Sequence, residues 1–524
     1  MDSFLRKISN CSFLIVMLLV TFVLTAGLTA AYAASGAGDT ALEETKTNEQ
    51  TTSAPVPEAV KKADGKLACE GVLYRITVKA TASAAGEVSA AEYEGKTLKS
   101  LVIPEKLSYK GKEYKVTGID DYAFYNRSTV ELILPASVKR LGIGAFAGSD
   151  KLTTVKFADK GAELTIDDYA FFECDLLENV NFAADNGIVK IGKAAFAYTP
   201  IKSAVLADGC KSIGEMAFYN CSKLKKVSMG ANIKKLGTEA FAGCSSKLTL
   251  TLRDKLKYIS YSDGCFYADN GKTLINGDFA KGTVTIASGI KKIPAYCFEG
   301  NKLITKVVVP EGVKLIDDCA FKECTALKSV KLPASVKTIG NYAFYGCSHL
   351  TGITIPAGVE TIMGNPFMYC PRLATIKVSS DNKCFKAKSN MLFDYDMETL
   401  WSAPGVKDSV KLPSTTKFMM PFAFCGNTLM KKFTFNKGFE MPGLGAFYDC
   451  KSLAYVYIPN RSIDFSIEAW VVDEDSSEFC GIFHNCAKGL EISLPYSDKA
   501  GSESSIEHFI MQHCDSSAIL TQRD

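Results

Sequence analysis

LKSVKLPASVKTIGNYAFYGCSHL, residues 327–350, is followed without a gap by LTGITIPAGVETIMGNPFMYCPRL, residues 350–373. Both stretches fit one frame, L-x-x-V/I-x-L/I-P-x-x-V-x-x-I-x-x-x-x-F-x-x-C-x-x-L. A frame that recurs at a period of about 20 to 50 residues is typical of a solenoid, in which each unit buries its apolar side chains against the next unit. A chain of 524 residues is too long for one ordinary globular core, and a stack of repeats accounts for its length.

A phenylalanine marks the same position in every copy of the frame. From Phe124 to Phe447 the steps between these register phenylalanines are 22 to 25 residues, except for two steps of 57 residues. The series is Phe124, Phe146, Phe171, Phe196, Phe218, Phe241, Phe298, Phe321, Phe344, Phe367, Phe424 and Phe447, with a degenerate last copy at Phe483. It predicts a β-rich solenoid of about fourteen coils, each of about 23 residues.

Each copy holds two short apolar segments. In residues 327–332 apolar and polar side chains alternate after the first leucine, which is typical of a half-buried strand. Pro333 then ends the strand, at a point where no ladder N–H is needed. A second apolar pair, Val336 and Ile339, precedes the turn that carries the register phenylalanine. The pattern predicts two strands in each coil.

The frame resembles the BspA-like leucine-rich repeats of bacterial and protist surface proteins. The segment that opens the array, from Val102 through Ile119 to Phe124, is similar to the usual entry of such arrays, and the resemblance covers about residues 98–494. It implies a right-handed leucine-rich-repeat solenoid, export, and adhesion-type binding without catalysis. It does not imply a particular ligand.

The two long steps in the phenylalanine series predict insertions. Residues 263–274 and 382–400 each read as strand, polar turn, strand, and Asn270-Gly271 is a favourable pair for a tight turn. We expect β-hairpins inserted near residues 260–285 and 380–405. A domain boundary is the alternative interpretation, although the repeat resumes directly after each insertion.

The N-terminus has the composition of a secretory leader. Arg6 and Lys7 precede an apolar run, and small residues at Ala31 and Ala33 fit the signal peptidase rule, so residues 1–33 are interpreted as a signal peptide cleaved after Ala33 or Ala34. An uncleaved membrane anchor is the alternative, because the run approaches the length of about 18 residues that spans a bilayer. After cleavage no integral membrane segment is expected.

The remaining boundaries follow from composition. Residues 34–65 are rich in Ala, Thr, Glu and Pro and predict a disordered linker, and the alternating residues in 66–100 predict a β-rich N-terminal cap. The solenoid is expected over 101–495. Residues 496–524 depart from the frame and predict a C-terminal cap or tail, with a short helix near 505–514.

Seven cysteines lie three residues after a register phenylalanine. They are Cys174, Cys221, Cys244, Cys324, Cys347, Cys370 and Cys450. Because stacked equivalent side chains point parallel, which is poor disulfide geometry, we interpret them as a ladder of buried thiols.

Cysteines outside this ladder are the better disulfide candidates in an exported protein. They are Cys69, Cys210, Cys265, Cys297, Cys319, Cys384, Cys425, Cys480, Cys486 and Cys514, and the pair that we expect first is Cys480 with Cys486.

No pattern in the chain predicts an enzyme. The acidic pairs 120–121, 167–168 and 317–318 recur at one position of the repeat, which indicates turn chemistry rather than glycosidase carboxylates. Cys480, His484 and Cys486 form a loose cluster without the spacing of a zinc site. We expect no cofactor, no metal and no catalytic residue.

One face of the first strand in each repeat is a candidate binding face. The two residues that flank the central apolar residue point away from the core, and between Thr154 and Tyr457 they include six lysines and no acid. The candidates are Lys156, Lys226, Lys306, Lys331, Lys377, Lys432, Tyr455 and Tyr457. An anionic glycan or an acidic protein patch would suit this face. The alternative is a lysine face that only prevents association of sheets.

The sequence therefore predicts a secreted or cell-surface protein that mediates adhesion or binds a protein or glycan of a host or neighbouring cell. A carbohydrate-binding accessory protein that acts on an anionic polysaccharide is the alternative. Nucleic acid is not an expected partner, because the net charge is only +3.

Overall fold

The computed structural model is a β-solenoid of about fourteen coils with nearly no helix, which confirms the predicted fold class. It describes residues 56–95, 97–158, 163–182, 187–465, 481–496, 506–512, 514 and 517–523. The predicted signal peptide and most of the predicted linker lie outside these residues.

Antiparallel strands cover the first coil. The strands of this cap are β1 (Val60–Lys61), β2 (Leu67–Cys69), β3 (Val72–Val78) and β4 (Gly86–Tyr93). They pair in sequence order, and β4 then pairs in parallel with the solenoid. The predicted linker ends earlier than residue 65, because Ala59 is buried and its N–H donates to the carbonyl of Ser108 at 2.7 Å. The buried side chain of Ala59 and this backbone hydrogen bond therefore make residues 57–61 part of the folded structure.

The first strand of each coil contributes to a parallel arrangement that we call the first sheet. Its strands are β5 (Thr97–Val102), β8 (Ser128–Leu134), β10 (Thr154–Phe157), β12 (Asn179–Val180), β14 (Ser203–Leu206), β16 (Lys226–Met229), β18 (Thr249–Leu252), β22 (Gly282–Thr285), β24 (Ile304–Val308), β26 (Ser329–Lys331), β28 (Gly352–Ile355), β30 (Thr375–Val378), β34 (Asp408–Lys411), β36 (Met430–Thr434), β37 (Tyr455–Tyr457), β38 (Glu491–Pro495) and β39 (Ile519–Arg523). It comprises four hydrogen-bonded strand groups, β5 to β12, β14 to β18, β22 to β30, and β34 to β39.

The second strand of each coil contributes to a second sheet. After the hairpin of β6 (Lys106–Tyr109) and β7 (Lys112–Ile119), its strands are β9 (Arg140–Leu141), β11 (Leu164–Ile166), β13 (Ile188–Ile191), β15 (Ser212–Ile213), β17 (Lys235–Leu236), β23 (Lys292–Ile293), β25 (Leu315–Ile316), β27 (Thr338–Ile339), β29 (Thr361–Ile362) and β35 (Phe418–Met419). These strands pair in parallel from coil to coil, and β35 pairs with the second insertion.

The register phenylalanines stack along the core. Neighbouring rings lie 5.1–5.7 Å apart between centroids, within 15° of parallel. The stack has three runs, Phe124 to Phe241, Phe298 to Phe367, and Phe424 to Phe483. Three clusters of buried side chains divide at the same two places, so the core is segmented at the insertions.

The acidic pairs join one coil to the next. Asp318 accepts the backbone N–H of Asn341 in the following coil at 2.7 Å, and Asp121 and Asp168 do the same for Ile143 and Lys193. A Cβ on Gly340 would lie 2.5 Å from the Asp318 carboxylate, so only glycine permits this approach. The glycine that follows the second apolar strand thus allows the acidic residue of the preceding coil to form this hydrogen bond.

Both insertions are antiparallel hairpins at the predicted places. The first contains β19 (Ser260–Ser262), β20 (Cys265–Ala268) and β21 (Thr273–Asn276), and the second contains β31 (Phe385–Lys388), β32 (Met391–Asp394) and β33 (Thr399–Ser402). Asn270 and Gly271 turn the first hairpin at positive φ, 56° and 85°, within a short 3-10 helix, Asp269–Gly271.

The C-terminal segment covers the last coil. A short helix, α1 (Ile506–Gln512), precedes β39, which pairs in parallel with β38 and adds one strand that the sequence frame did not predict. Arg461 donates to Glu507 of the helix at 2.5 Å and to the Pro495 carbonyl at 2.6 and 2.9 Å. This arginine therefore connects the helix to the end of the solenoid.

We expect Phe321→Ala to lower the free energy of unfolding by about 3–5 kcal/mol, because the ring is fully buried between Phe298 and Phe344. Chemical denaturation measures the change. Tyr125→Ala is the control, since that ring is 55% exposed and should matter little. A cost below about 1 kcal/mol at Phe321 would contradict a stacked core.

Candidate binding face

The first sheet turns the candidate lysines toward solvent. In β26, for example, Val330 is buried while Ser329 and Lys331 are exposed. This follows from strand geometry, because successive side chains point to opposite faces. All six candidate lysines are exposed, and Tyr455 and Tyr457 are half-buried.

The strand register distributes these residues over all four strand groups. Lys156 lies in the first group, Lys226 in the second, Lys306, Lys331 and Lys377 in the third, and Lys432, Tyr455 and Tyr457 in the fourth. Only the third group, β22 to β30, contains three of the candidate lysines. Its five strands span about 19 Å at the usual strand spacing.

The face is acidic at both ends, contrary to the expectation of a face without acids. Glu131 is the register partner of Thr154 and forms a salt bridge of 2.6 Å with Lys156. At the other end Glu491 is the register partner of Tyr455. Both acids lie in strands that flank the aligned positions, β8 before Thr154 and β38 after Tyr457, so the repeat pattern between those positions did not predict them.

The third strand group keeps its positive charge uncompensated. Lys306, Lys331 and Lys377 form no salt bridge with any residue that the structure describes. Hydroxyl groups flank Lys306 in register, at Thr283 and Ser329, and Thr354 is the register partner of Lys377. This part of the face offers ammonium donors beside hydroxyl groups.

Lys432 is arranged differently. Its ammonium lies 5.9 Å from the ring centroid of Tyr455, at the outer limit of a cation–π contact. Each of the two side chains therefore covers part of the surface that the other would expose to a ligand. The fourth group offers less accessible charge than the third.

The cysteine ladder contacts the backbone of the preceding coil. Cys221, Cys244, Cys324, Cys347 and Cys370 donate from Sγ to the carbonyl of the preceding register phenylalanine at 3.0–3.2 Å. Cys174 and Cys450 do the same, and so does Cys486, which the sequence analysis had placed outside the ladder. Burial raises the pKa of Cys370 to about 12, so its thiol stays protonated.

After each insertion an asparagine replaces the cysteine. The amide of Asn301 donates to the carbonyls of Gly277 and Ala280 and accepts the N–H groups of Leu303 and Ile304. Asn427 makes the equivalent four bonds in the third run. A longer polar side chain is required there because the preceding chain segment is the insertion rather than a regular coil.

Six of the disulfide candidates are free thiols, which corrects that expectation. They are Cys69, Cys210, Cys265, Cys297, Cys319 and Cys384. Most of them pack in the core as small apolar side chains, where a partner in bonding geometry is absent among the described residues. Cys480 lies outside the described residues, so the disulfide between Cys480 and Cys486 stays a prediction.

A buried carboxyl group marks the first insertion, and no pattern in the sequence predicted it. Glu239 is 5% exposed, and burial followed by the nearby Glu299 raises its pKa to about 10. Glu299 forms a salt bridge of 2.7 Å with Lys322. Asp278 accepts the N–H of Phe241 at 2.9 Å, in place of the backbone carbonyl that a regular coil would present, and burial raises the pKa of Asp278 to about 7.

The described residues contain no group of three or more His, Cys, Asp or Glu side chains arranged to hold a metal ion. His484 stacks on Tyr448 with centroids 5.3 Å apart. Within the same part of the chain, no helix has the length and apolar character of a membrane span.

The chain matches the family model described as the BspA type leucine rich repeat region, over residues 87–190, 117–246, 189–276, 279–395 and 407–471. These ranges cover more than half of the sequence. The chain therefore belongs to the family of BspA type leucine-rich-repeat proteins. No curated protein matches it.

Solved structures with similarity to the chain are bacterial leucine-rich-repeat proteins of low identity. A leucine rich cell surface protein from Faecalibacterium prausnitzii is 17% identical, with a TM-score of 0.46, and the match covers 73% of this chain and 95% of that one. The pneumococcal vaccine antigen PcpA is 16% identical, with a TM-score of 0.46 over 90% and 100% of the two chains. A leucine-rich repeat protein from Bacteroides ovatus is 19% identical, with a TM-score of 0.36 over 78% and 98%.

We expect Cys347 and Cys370 of the folded protein to resist alkylation by iodoacetamide at pH 8, because both thiols are buried and burial raises their pKa. Mass spectrometry of the alkylated chain, folded and then unfolded in denaturant, measures this. Lys331→Cys provides an exposed thiol as the control. Modification of Cys347 in the folded chain at the rate of the control would contradict a buried ladder.

We expect Glu239→Gln to raise the unfolding temperature at pH 8 and to leave it nearly unchanged at pH 5. The folded pKa of Glu239 lies above its unfolded value, so the wild type loses stability as pH rises from about 4.5 toward 10. Glutamine does not titrate and removes this loss. Melting curves at both pH values test the difference, with the exposed Glu311→Gln as the control, and an equal shift at both pH values would rule out the explanation.

Proposed function

We propose that this chain is an exported, non-catalytic protein, secreted or held at the cell surface, that mediates adhesion by binding a protein or glycan through its first sheet. The observation that carries the proposal is the third strand group. Lys306, Lys331 and Lys377 lie exposed on one sheet without salt bridges to the described residues. Uncompensated charge on a regular surface favours association with an oppositely charged partner.

Export is supported by the leader. A basic start, an apolar run and the small residues Ala31 and Ala33 indicate cleavage near Ala33 or Ala34. The absence of catalysis is supported by the positions of the acidic pairs, because Asp121, Asp168 and Asp318 accept backbone N–H groups between coils.

The ligand that the charge favours is an anionic glycan or an acidic patch on a protein of a host or neighbouring cell. Hydroxyls beside the lysines, such as those of Thr283 and Ser329, would serve sugar recognition. They favour the second candidate function, a carbohydrate-binding accessory protein that acts on an anionic polysaccharide.

Arrays of glycans and of surface proteins, probed with the full chain, test the proposal. We expect the triple variant Lys306→Glu, Lys331→Glu, Lys377→Glu to lose binding by about tenfold or more, because reversal turns attraction into repulsion. Lys112→Glu, Lys255→Glu, Lys272→Glu is the matched control, with the same change in net charge at other exposed lysines. Equal binding by the wild type and the first triple variant would overturn the proposal.

A further inference from the structure

A second set of lysines is aligned along the second sheet, each one residue before a strand. The N–H of Lys314 donates to the carbonyl of Lys291 at 2.9 Å, and the N–H of Lys337 donates to the carbonyl of Lys314 at 2.8 Å. We call these three residues the lysine row. All three are exposed, and the strands that follow them pair in register. The row therefore crosses three adjacent coils at about 4.8 Å per step.

The same register position carries lysine in the preceding run of coils. The N–H of Lys234 donates to the carbonyl of Lys211 at 2.8 Å, and both side chains are exposed. Lys234 lies over the ring of Tyr258 at 4.7 Å, and Lys211 forms a salt bridge with Glu163. The first insertion separates this shorter pair from the lysine row.

Stacking like charges costs stability. Like charges directly opposite one another in neighbouring strands are destabilising. Lys291 and Lys314 have no acidic partner among the described residues, and Lys337 pairs with Glu360 only at the end of the row. The chain compensates charge elsewhere on this sheet, where Arg140 bridges Asp121 and Asp167.

Protection of a sheet edge does not account for the row. The strands beside Lys314 and Lys337 are paired on both sides, so they present no free edge to another chain. The following coil carries Glu360 at the same position, so acids are compatible with the fold there. The fold could avoid the repulsion between these lysines by carrying an acid in the row. The fact that it keeps lysines there indicates that a negatively charged ligand neutralises them.

The geometry favours an extended chain as the source of that counter-charge. A row of single charges at strand spacing fits a linear polymer with one anion on each unit, and the unit of a polyuronic acid has about the length of one strand spacing. The row consists of lysine, a hydrated point charge, and lacks the arginine forks that recognise phosphate in pairs. We propose that the lysine row binds an extended anionic polysaccharide that runs along the stack of coils.

This site lies on the second sheet, and the proposal does not depend on ligand binding by the first sheet. Polygalacturonate, with one carboxylate on each sugar, is the probe, and fully methyl-esterified polygalacturonate is the uncharged comparison. Binding of the full chain is measured by biolayer interferometry at several salt concentrations. We expect binding to polygalacturonate that weakens with salt, and none to the ester.

Lys291→Gln, Lys314→Gln, Lys337→Gln removes the row without adding repulsion, and we expect about tenfold weaker binding with a shallower salt dependence. The matched control is Lys112→Gln, Lys255→Gln, Lys272→Gln, at exposed lysines outside both the lysine row and the first sheet, which should bind within about twofold of the wild type. Melting curves check the fold, and the row variant should melt no lower than the wild type because repulsion is relieved.

Three results would overturn the proposal. Unchanged binding by the row variant would show that the row is not the site. Equal loss in both triple variants would show an effect of net charge alone. Single-stranded DNA bound as tightly as polygalacturonate, with the same dependence on the row, would assign the row to polyanions in general rather than to polysaccharide.

Discussion

The spacing between coils is fixed by one recurring hydrogen bond. Within each run of coils the N–H of a register phenylalanine donates to a carbonyl of the next coil at 2.8–2.9 Å, for example from Phe321 to Ala343. This bond holds successive coils at strand spacing, and the rings must then stack at 5.1–5.7 Å. The thiol of Cys347 reaches the preceding carbonyl, and Gly340 admits the preceding aspartate, only at this distance.

The insertions show what happens where that bond cannot form. Phe241 has no regular coil ahead of it, and its N–H donates to the carboxylate of Asp278 instead. Asn301 then restores the ladder on the far side by bonding to the inserted segment. These substitutes are polar, and buried amide and carboxyl groups accompany them at both junctions, such as Glu239 and Asn301 at the first. The segmentation of the core and the titratable groups at its first boundary have the same origin.

The period of the sequence predicted the features that repeat within one coil. Phe483 follows the register by stacking on Phe447, and Asn270 lies in its tight turn, because both depend on local pattern. Features set by contacts between distant segments gave no such signal. Glu131 approaches Lys156 from the neighbouring strand, and β39 pairs with β38 although residues 519–523 depart from the frame. The lysine row is visible in the sequence, but only when the second strand of each repeat is aligned.

Because the coils stack at this regular spacing, surface residues at the same repeat position in successive coils form a row. A charge that is kept in successive coils must therefore be compensated within the row or by something outside the chain. At Arg140 compensation is internal, because Asp121 and Asp167 flank the guanidinium and connect three coils. At Lys291 and Lys314 it is absent among the described residues, although the fold accepts an acid at that position. In a solenoid the uncompensated rows, rather than a pocket, are the places where a ligand gains most from binding.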